Sequence, residues 1–422
     1  MASVPMTENS RNSYLVLFLC SLGMASMGVT IQALTPVSHE VQGALGIDYG
    51  SLGFLMGAIS IPGIFLSLPG GLLADRAGSR GLLLAGWAFM GGGALLFAIK
   101  PSYGILCAAR ILAGLGCSLV SVLLPGLIEG AFKGKSLGSA MGIFNAALPV
   151  GSILTLTTFA FLAAGMGPFR LFLFPAACAF LCFILFLFFL PGGREGSRSH
   201  ALSLPGTGPL WLLALVVLFA NMATMGYVTI APSYFHERGT PPAWTGTMLS
   251  AVLWGSLLLS PVAGYLTTHR AMGKLLLAGG CFLQGLGLAA IPFDATPLTG
   301  DLFLLAMGSG LVMTPVYVLV PRVVKAGQVN TGFGIIFSSM MCGCLAGPYC
   351  AGKILDGPGG FAAGFMLLGA LSAGAALSAL LLGKSHFPSG NALHPGMHES
   401  AAEIRGDDEV EEGEGNAEAE KN

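Results

Sequence analysis

Twelve apolar runs, each long enough to cross a bilayer, divide this chain almost from end to end, and nothing else in the sequence constrains its fold as much. They lie at about 13–36, 49–70, 80–99, 103–129, 137–163, 168–190, 208–234, 244–266, 273–292, 299–321, 330–353 and 361–383. About 20 residues of helix span the hydrocarbon layer, where the backbone must satisfy its own hydrogen bonds. Only 9% of the residues are charged, against roughly a quarter in a soluble domain. The expected fold class is an all-α membrane protein of twelve transmembrane helices. The first run follows a short polar start, MASVPMTENSRN. It is longer than the core of a signal peptide and lacks a small-x-small exit, so it is expected to be retained as the first helix.

Charge sets the orientation. Twelve Lys/Arg fall on the loops of the side that carries both termini, against four (Lys100, Arg170, Arg238 and Lys353) on the other. The positive-inside bias then predicts cytoplasmic termini, in a plasma or bacterial inner membrane. The formal net charge of −1 conceals an acidic end, GDDEVEEGEGNAEAEKN. Such a stretch, poor in apolar residues, is expected to be a disordered cytoplasmic tail over 386–422. His394 and His398 within it have a helical metal spacing but no third fixed ligand. All nine Cys fall inside the apolar runs, where they read as small packing residues. No cofactor and no metal is expected.

The chain also repeats itself. GLL at 71–73 returns as GYL at 264–266, GLG at 114–116 as GSG at 308–310, and MGIF at 141–144 as FGII at 333–336. The nearly constant offset predicts two pseudo-symmetric six-helix bundles, 1–190 and 207–385. The polar Gly/Pro/Ser-containing stretch 191–206 would be a cytoplasmic linker between them. Paired halves of this kind are one architecture of secondary transporters.

Between the second and third runs stands GGLLADRAGSRG, residues 70–81. Its Gly71-x-Leu73-Ala74-Asp75-Arg76-x-Gly78-x-Arg80 pattern resembles the signature loop of the major facilitator superfamily. Arg110-x-x-x-Gly114-x-Gly116 is similar to that superfamily's second motif. The resemblance extends over the chain through helix count, linker and repeat, and it is not specific to a substrate. The antiporter motif of the fifth helix is only partly present, as Ala146-Ala147-Leu148-Pro149-Val150-Gly151, which departs from the drug antiporters.

Physically, Gly71 permits close helix approach and Gly78 a turn that other residues resist. Asp75 can pair with Arg76 or Arg80, or meet the positive N-terminal end of a helix from the other half. Such a contact would exist only with the cytoplasmic side closed, so it can act as a latch, with Glu129 as an additional partner. The alternative is that these charges set topology only, a role that Arg76 and Arg80 serve and Asp75 does not. In the second half the matching positions are Thr267, Thr268 and His269, so any latch is one-sided.

Of the 19 Lys/Arg, only Arg110 lies well inside a run. Seven residues at about 1.5 Å each place it roughly 10 Å inward of Tyr103. A cation at that depth is a functional candidate by default. It would hold a carboxylate or inorganic oxyanion bidentately, or else brace carbonyls of neighbouring helices; the residues alone leave both open. No Asp, Glu, Lys or His lies near the middle of a run, which argues against a carboxylate-based proton relay. The resemblance assigns Gln32, Arg110, Asn145, Asn221, Tyr227, Trp254 and Tyr317 to helices around a central cavity. Taken singly, each could equally make ordinary interhelical hydrogen bonds.

The expected function is transmembrane transport by alternating access, as a monomer in the bilayer, of a small-molecule substrate, with a small organic or inorganic anion favoured. Efflux of a neutral or amphipathic compound is the alternative, and a non-transporting membrane sensor a remote one. The sequence shows no His-Glu-x-x-His and no His inside an apolar run, so an enzyme is not expected. Nothing in it points to nucleic acid.

Overall fold

The computed structural model describes residues 8–66, 79–99, 102–132, 135–189, 208–269, 272–293, 298–324 and 329–383. Twelve candidate membrane spans are present, and the described residues contain helices and no strands. The linker 191–206 and the tail 386–422 lie outside the described residues, as does most of the 70–81 loop.

Nine spans are single helices: α5 (Ser79–Ile99), α6 (Tyr103–Ala131), α7 (Lys135–Met166), α8 (Leu173–Phe189), α9 (Gly208–Glu237), α10 (Pro242–His269), α11 (Gly273–Ala290), α14 (Val329–Leu355) and α15 (Gly360–Leu380). The other three are broken. Span one is α1 (Glu8–Gln32) and α2 (Ser38–Leu45), span two is α3 (Tyr49–Gly57) and α4 (Ile61–Leu66), and span ten is α12 (Leu298–Gly310) and α13 (Met313–Val323). The sequence reading made all three continuous, and it ended the first one near residue 36 instead of Leu45.

Each break has the same local origin. Proline has no N–H and its ring clashes with the carbonyl four residues back. Pro36, Pro62 and Pro315 stand four residues after Gln32, Ala58 and Leu311, which are where, or next to where, α1, α3 and α12 stop. Pro125, Pro149, Pro232, Pro261 and Pro348 sit inside helices that continue through them. A proline therefore permits a break without dictating one.

Within each half, glycines bring helices to backbone contact. A β-carbon on Gly116 of α6 would collide with the Gly86 carbonyl of α5. In the second half Gly308 of α12 meets Gly280 and Gln284 of α11 in the same way. Both glycines of each motif thus face corresponding neighbours: Gly116 and Gly308 meet spans three and nine, and Gly114 and Gly310 meet Ile59 of span two and Gly255 of span eight. Trp87, fully buried against Phe186 at 5.5 Å between ring centroids, centres the core of the first half. Cys20 and Cys182 are buried in that same core, and all nine cysteines are free.

The halves meet chiefly along spans two and eleven and along spans five and eight. Gly53 and Gly57 of α3, four apart, press on Pro348 and Leu345 of α14, and Gly352 of α14 presses back on Tyr49. Gly246 of α10 does the same against Leu156 of α7. Without a hydrophobic drive between helices in lipid, such small-residue seams are how membrane helices associate.

Candidate transport site and gate

Arg110 is 4% exposed. Its Nη1 donates to the Thr30 carbonyl at 3.2 Å, and its Nη2 to the carbonyls of Met56 at 3.1 Å and Ile31 at 3.4 Å. Those carbonyls belong to the last turns of α1 and α3, where the regular ladder gives way to the 3-10 segments Thr35–Val37 and Ala58–Ser60 before the next helix. The guanidinium therefore closes two broken helices at their negative ends. Its Nε has no hydrogen-bond partner among the described residues. Gln32 completes the same junction: it is 5% exposed and its Oε1 accepts from the Thr35 hydroxyl at 2.9 Å.

Tyr227 is likewise internal, fully buried with its hydroxyl donating to the Met248 carbonyl at 3.2 Å. Trp254 lies on an exposed stripe of α10 with Leu258, Val262 and Tyr265, an apolar face of the kind a span presents to lipid tails.

Asn145, Asn221 and Tyr317 are placed differently. Asn145 of α7 is exposed, yet at helical spacing it shares a face with Ser152 and Leu156, which pack on α1 and α10. Asn221 of α9 donates from Nδ2 to the Val217 carbonyl at 2.9 Å, lies 3.9 Å from Met313 Sδ, and accepts from Cys344 Sγ at 4.0 Å. One turn on from Met313, Tyr317 is 38% exposed, and its ring lies 6.2 Å from those of both Phe333 and Phe337. Phe333, Phe337 and Cys344 share one face of α14, between the face that packs on span two and the face that packs on α9. The result is an aromatic wall with an amide at its edge, the composition of a small-molecule site. Phe333 and Phe337 were missed from sequence, because two Phe in an apolar run carry no signal of which face they occupy.

Gly71, Asp75, Arg76 and Gly78 lie outside the described residues, and nothing is described of the Glu129 side chain. Arg80 is described, and its Nη2 donates to the Leu187 carbonyl at 2.7 Å, in the last turn of α8. It anchors within its own half. An ionic contact between the halves is found among the described residues at the far end of the bundle, opposite Glu8 and Leu380. There Lys353 Nζ of α14 pairs with Asp48 Oδ2 at 2.9 Å, and Asp48 caps α3 through the Ser51 N–H at 2.7 Å. Beside it, the two carboxylate oxygens of Asp356 accept from the N–H groups of Tyr49 and Gly50, each at 2.9 Å. A carboxylate at a helix N-terminus meets unpaired donors and a favourable dipole. Hydrogen bonds from Ser51 and Lys353 hold the Asp48 carboxyl well below the usual carboxylate range. The signal that could have found this clasp was Lys353 itself, a cation on the side that the positive-inside bias depletes. Asp301 lies in the first turn of α12 and is buried.

A family model described as Major Facilitator Superfamily matches residues 13–294 and 213–405. The 3-(3-hydroxy-phenyl)propionate transporter of Escherichia coli is 26% identical over 368 residues, 83% of this chain and 89% of that protein. The 4-hydroxybenzoate transporter PcaK of Pseudomonas putida is 35% identical over 147 residues, 32% of this chain and 31% of its own. The quinolone resistance protein NorA of Staphylococcus aureus is 26% identical over 193 residues, 44% of this chain and 46% of its own. Among solved structures, a mutant of the nucleoside transporter NupG superposes with a TM-score of 0.72 at 12% identity, over 88% of this chain and 100% of that one.

Proposed function

This chain belongs to the major facilitator superfamily as a multi-pass membrane transporter, and on that premise we propose that it carries a small aromatic carboxylate by alternating access. The observation that carries this reading is the exposed Tyr317–Phe333–Phe337 wall beside Asn221. Flat rings give apolar area and edge-to-face contacts to an aromatic solute, while Asn221 and Asn145 offer hydrogen bonds to its polar substituents. Two relatives named for hydroxylated aromatic acids support the same class.

Taking the far end as external, as the Lys/Arg bias argues, the Asp48–Lys353–Asp356 clasp closes the outer side. The Asp75 loop would then latch the inner side when the clasp parts. Arg110 acts in this reading as the brace that keeps spans one and two broken where they are, and the substrate's charge is met by amide donors.

A second reading is favoured by the burial of Arg110: with its guanidinium on backbone carbonyls, the wall suits a neutral amphipathic compound, and NorA is a relative. Transport into proteoliposomes decides between them, comparing 4-hydroxybenzoate with its methyl ester. Flux of the acid that the ester does not compete with supports the first reading. Flux of the ester alone replaces it with the second, and flux of neither overturns both.

A further inference from the structure

The far end holds one more contact between the halves. His39 of α2 and His236 of α9 stack with ring centroids 4.1 Å apart and planes inclined by 31°. His39 Nδ1 is buried and has no hydrogen-bond partner among the described residues. His236 is exposed at its rim. We propose that this cross-half imidazole pair is a proton-binding site that opens the outer gate as the external medium turns acid. The proposal rests on the reading of the far end as the external gate, and it does not depend on which solute is carried.

The argument is electrostatic. Two neutral rings, or one neutral and one charged, stack without penalty. Two imidazolium ions at about 4 Å repel, and at the boundary between water and protein this shifts an equilibrium by about tenfold or more. A proton on His39 Nδ1 would also create a buried charged N–H with no acceptor, which favours the state in which the rings have separated. Parting the halves relieves both effects. An imidazole takes up its proton near pH 6.5 in water. The closed form therefore gives way as the pair takes up protons.

The charged groups on the elements around the pair do not cancel this. Glu40 on α2 and Glu237 at the end of α9 are exposed, so water screens them, and they favour the first proton without separating the second from it. Arg238 lies over the Tyr234 ring at 4.7 Å. On α3 and α14, Asp48 and Lys353 form their own pair, and Asp356 sits on the Tyr49 and Gly50 amides. Tyr49 is near enough to Glu237 and Asp356 to feel both charges. The Asp48 carboxyl, held below the carboxylate range, stays ionised wherever an imidazole titrates.

The test is hydrogen exchange of the full chain in nanodiscs from pH 5 to pH 8, corrected for intrinsic exchange. The reporters are the Tyr49 and Gly50 amides that Asp356 holds. In the wild type their protection should fall about tenfold between pH 8 and pH 5. A midpoint below pH 5, or no change, overturns the proposal without any variant. His236→Phe keeps a ring in the stack and cannot take a proton, which removes the repulsion and leaves only the effect of His39, so its protection should fall clearly less between pH 7.5 and pH 5.5 than that of the wild type. His236→Gln should behave alike if the phenylalanine variant does not fold. A folded variant that loses protection as the wild type does also overturns it.

Discussion

Lys353 Nζ lies 2.9 Å from Asp48 Oδ2, so that the last turn of span eleven holds the residue that caps span two, across 305 positions of sequence. Both side chains are nearly half exposed, and an exposed pair holds little by itself. The Asp356 carboxylate on two backbone N–H groups, at a helix N-terminus, is the better-formed part of the clasp. Asp356→Ala is therefore expected to speed exchange at the Tyr49 and Gly50 amides several-fold, and Lys353→Met to do so less. Equal effects would mean that the ion pair carries the closure.

The Asp48 contribution has a definite pH window. Its carboxyl is depressed below the usual range, chiefly by hydrogen bonds from Ser51 and Lys353. A group depressed in this way contributes above its ordinary value, near 3.9, and the contribution is lost as pH falls through the depressed one. The coupling of Asp48 to Lys353, measured by an Asp48→Asn/Lys353→Met double-mutant cycle on amide exchange, should therefore be the same at pH 5.5 and pH 7.5.

The seam behind the clasp is steric. A side chain at Gly53 would strike the Pro348 carbonyl, and the backbone there is pinned by the facing helix. Gly53→Val should leave the protein inserted and folded within each half but unable to close the outer side. It should abolish transport and make the far end reactive to a membrane-impermeant thiol reagent at a cysteine introduced at Ser51. Gly43, which has open space around it, serves as the control: Gly43→Val should transport normally.

The architecture was legible because a bilayer leaves so few options. Twelve runs gave twelve spans, and the paired glycines of GLG and GSG meet corresponding neighbours in the two halves. The breaks at Pro36, Pro62 and Pro315 were not legible, since five other prolines sit in continuous helices. Of the residues singled out from sequence, Asn145, Trp254 and Tyr317 are exposed and Asn221 half-buried, whereas Gln32, Arg110 and Tyr227 are buried in helix packing. Residue type cannot separate a polar group that faces a cavity from one that satisfies a carbonyl. The clasp escaped because its members are paired only by the fold.

The aromatic wall makes a graded prediction. Phe337→Ala removes the ring that extends the Tyr317 surface, and aromatic contacts of this kind are worth about 1 kcal/mol beyond the area they bury. KM for an aromatic acid should rise about tenfold with kcat little changed. Phe337→Tyr should be mild and Tyr317→Phe should shift preference among ring-hydroxylated analogues, both read from initial uptake rates. An unaltered KM in Phe337→Ala would remove the wall from the binding site.

Arg110 offers the sharpest division between bracing and binding. Three carbonyls at the ends of α1 and α3 depend on it, and they are buried. Losing charged hydrogen bonds and leaving those acceptors unmet should cost about 3 kcal/mol. Arg110→Gln should therefore lower the melting temperature markedly. Arg110→Lys should fall between it and the wild type, because an ammonium keeps the charge but cannot span both helix ends as the planar fork does. In both variants, an aromatic acid that stabilises the wild type should still raise the melting temperature of whatever folds. If that ligand-induced shift vanishes in Arg110→Gln while the unliganded protein melts as the wild type does, Arg110 binds the anion and the bracing role is wrong.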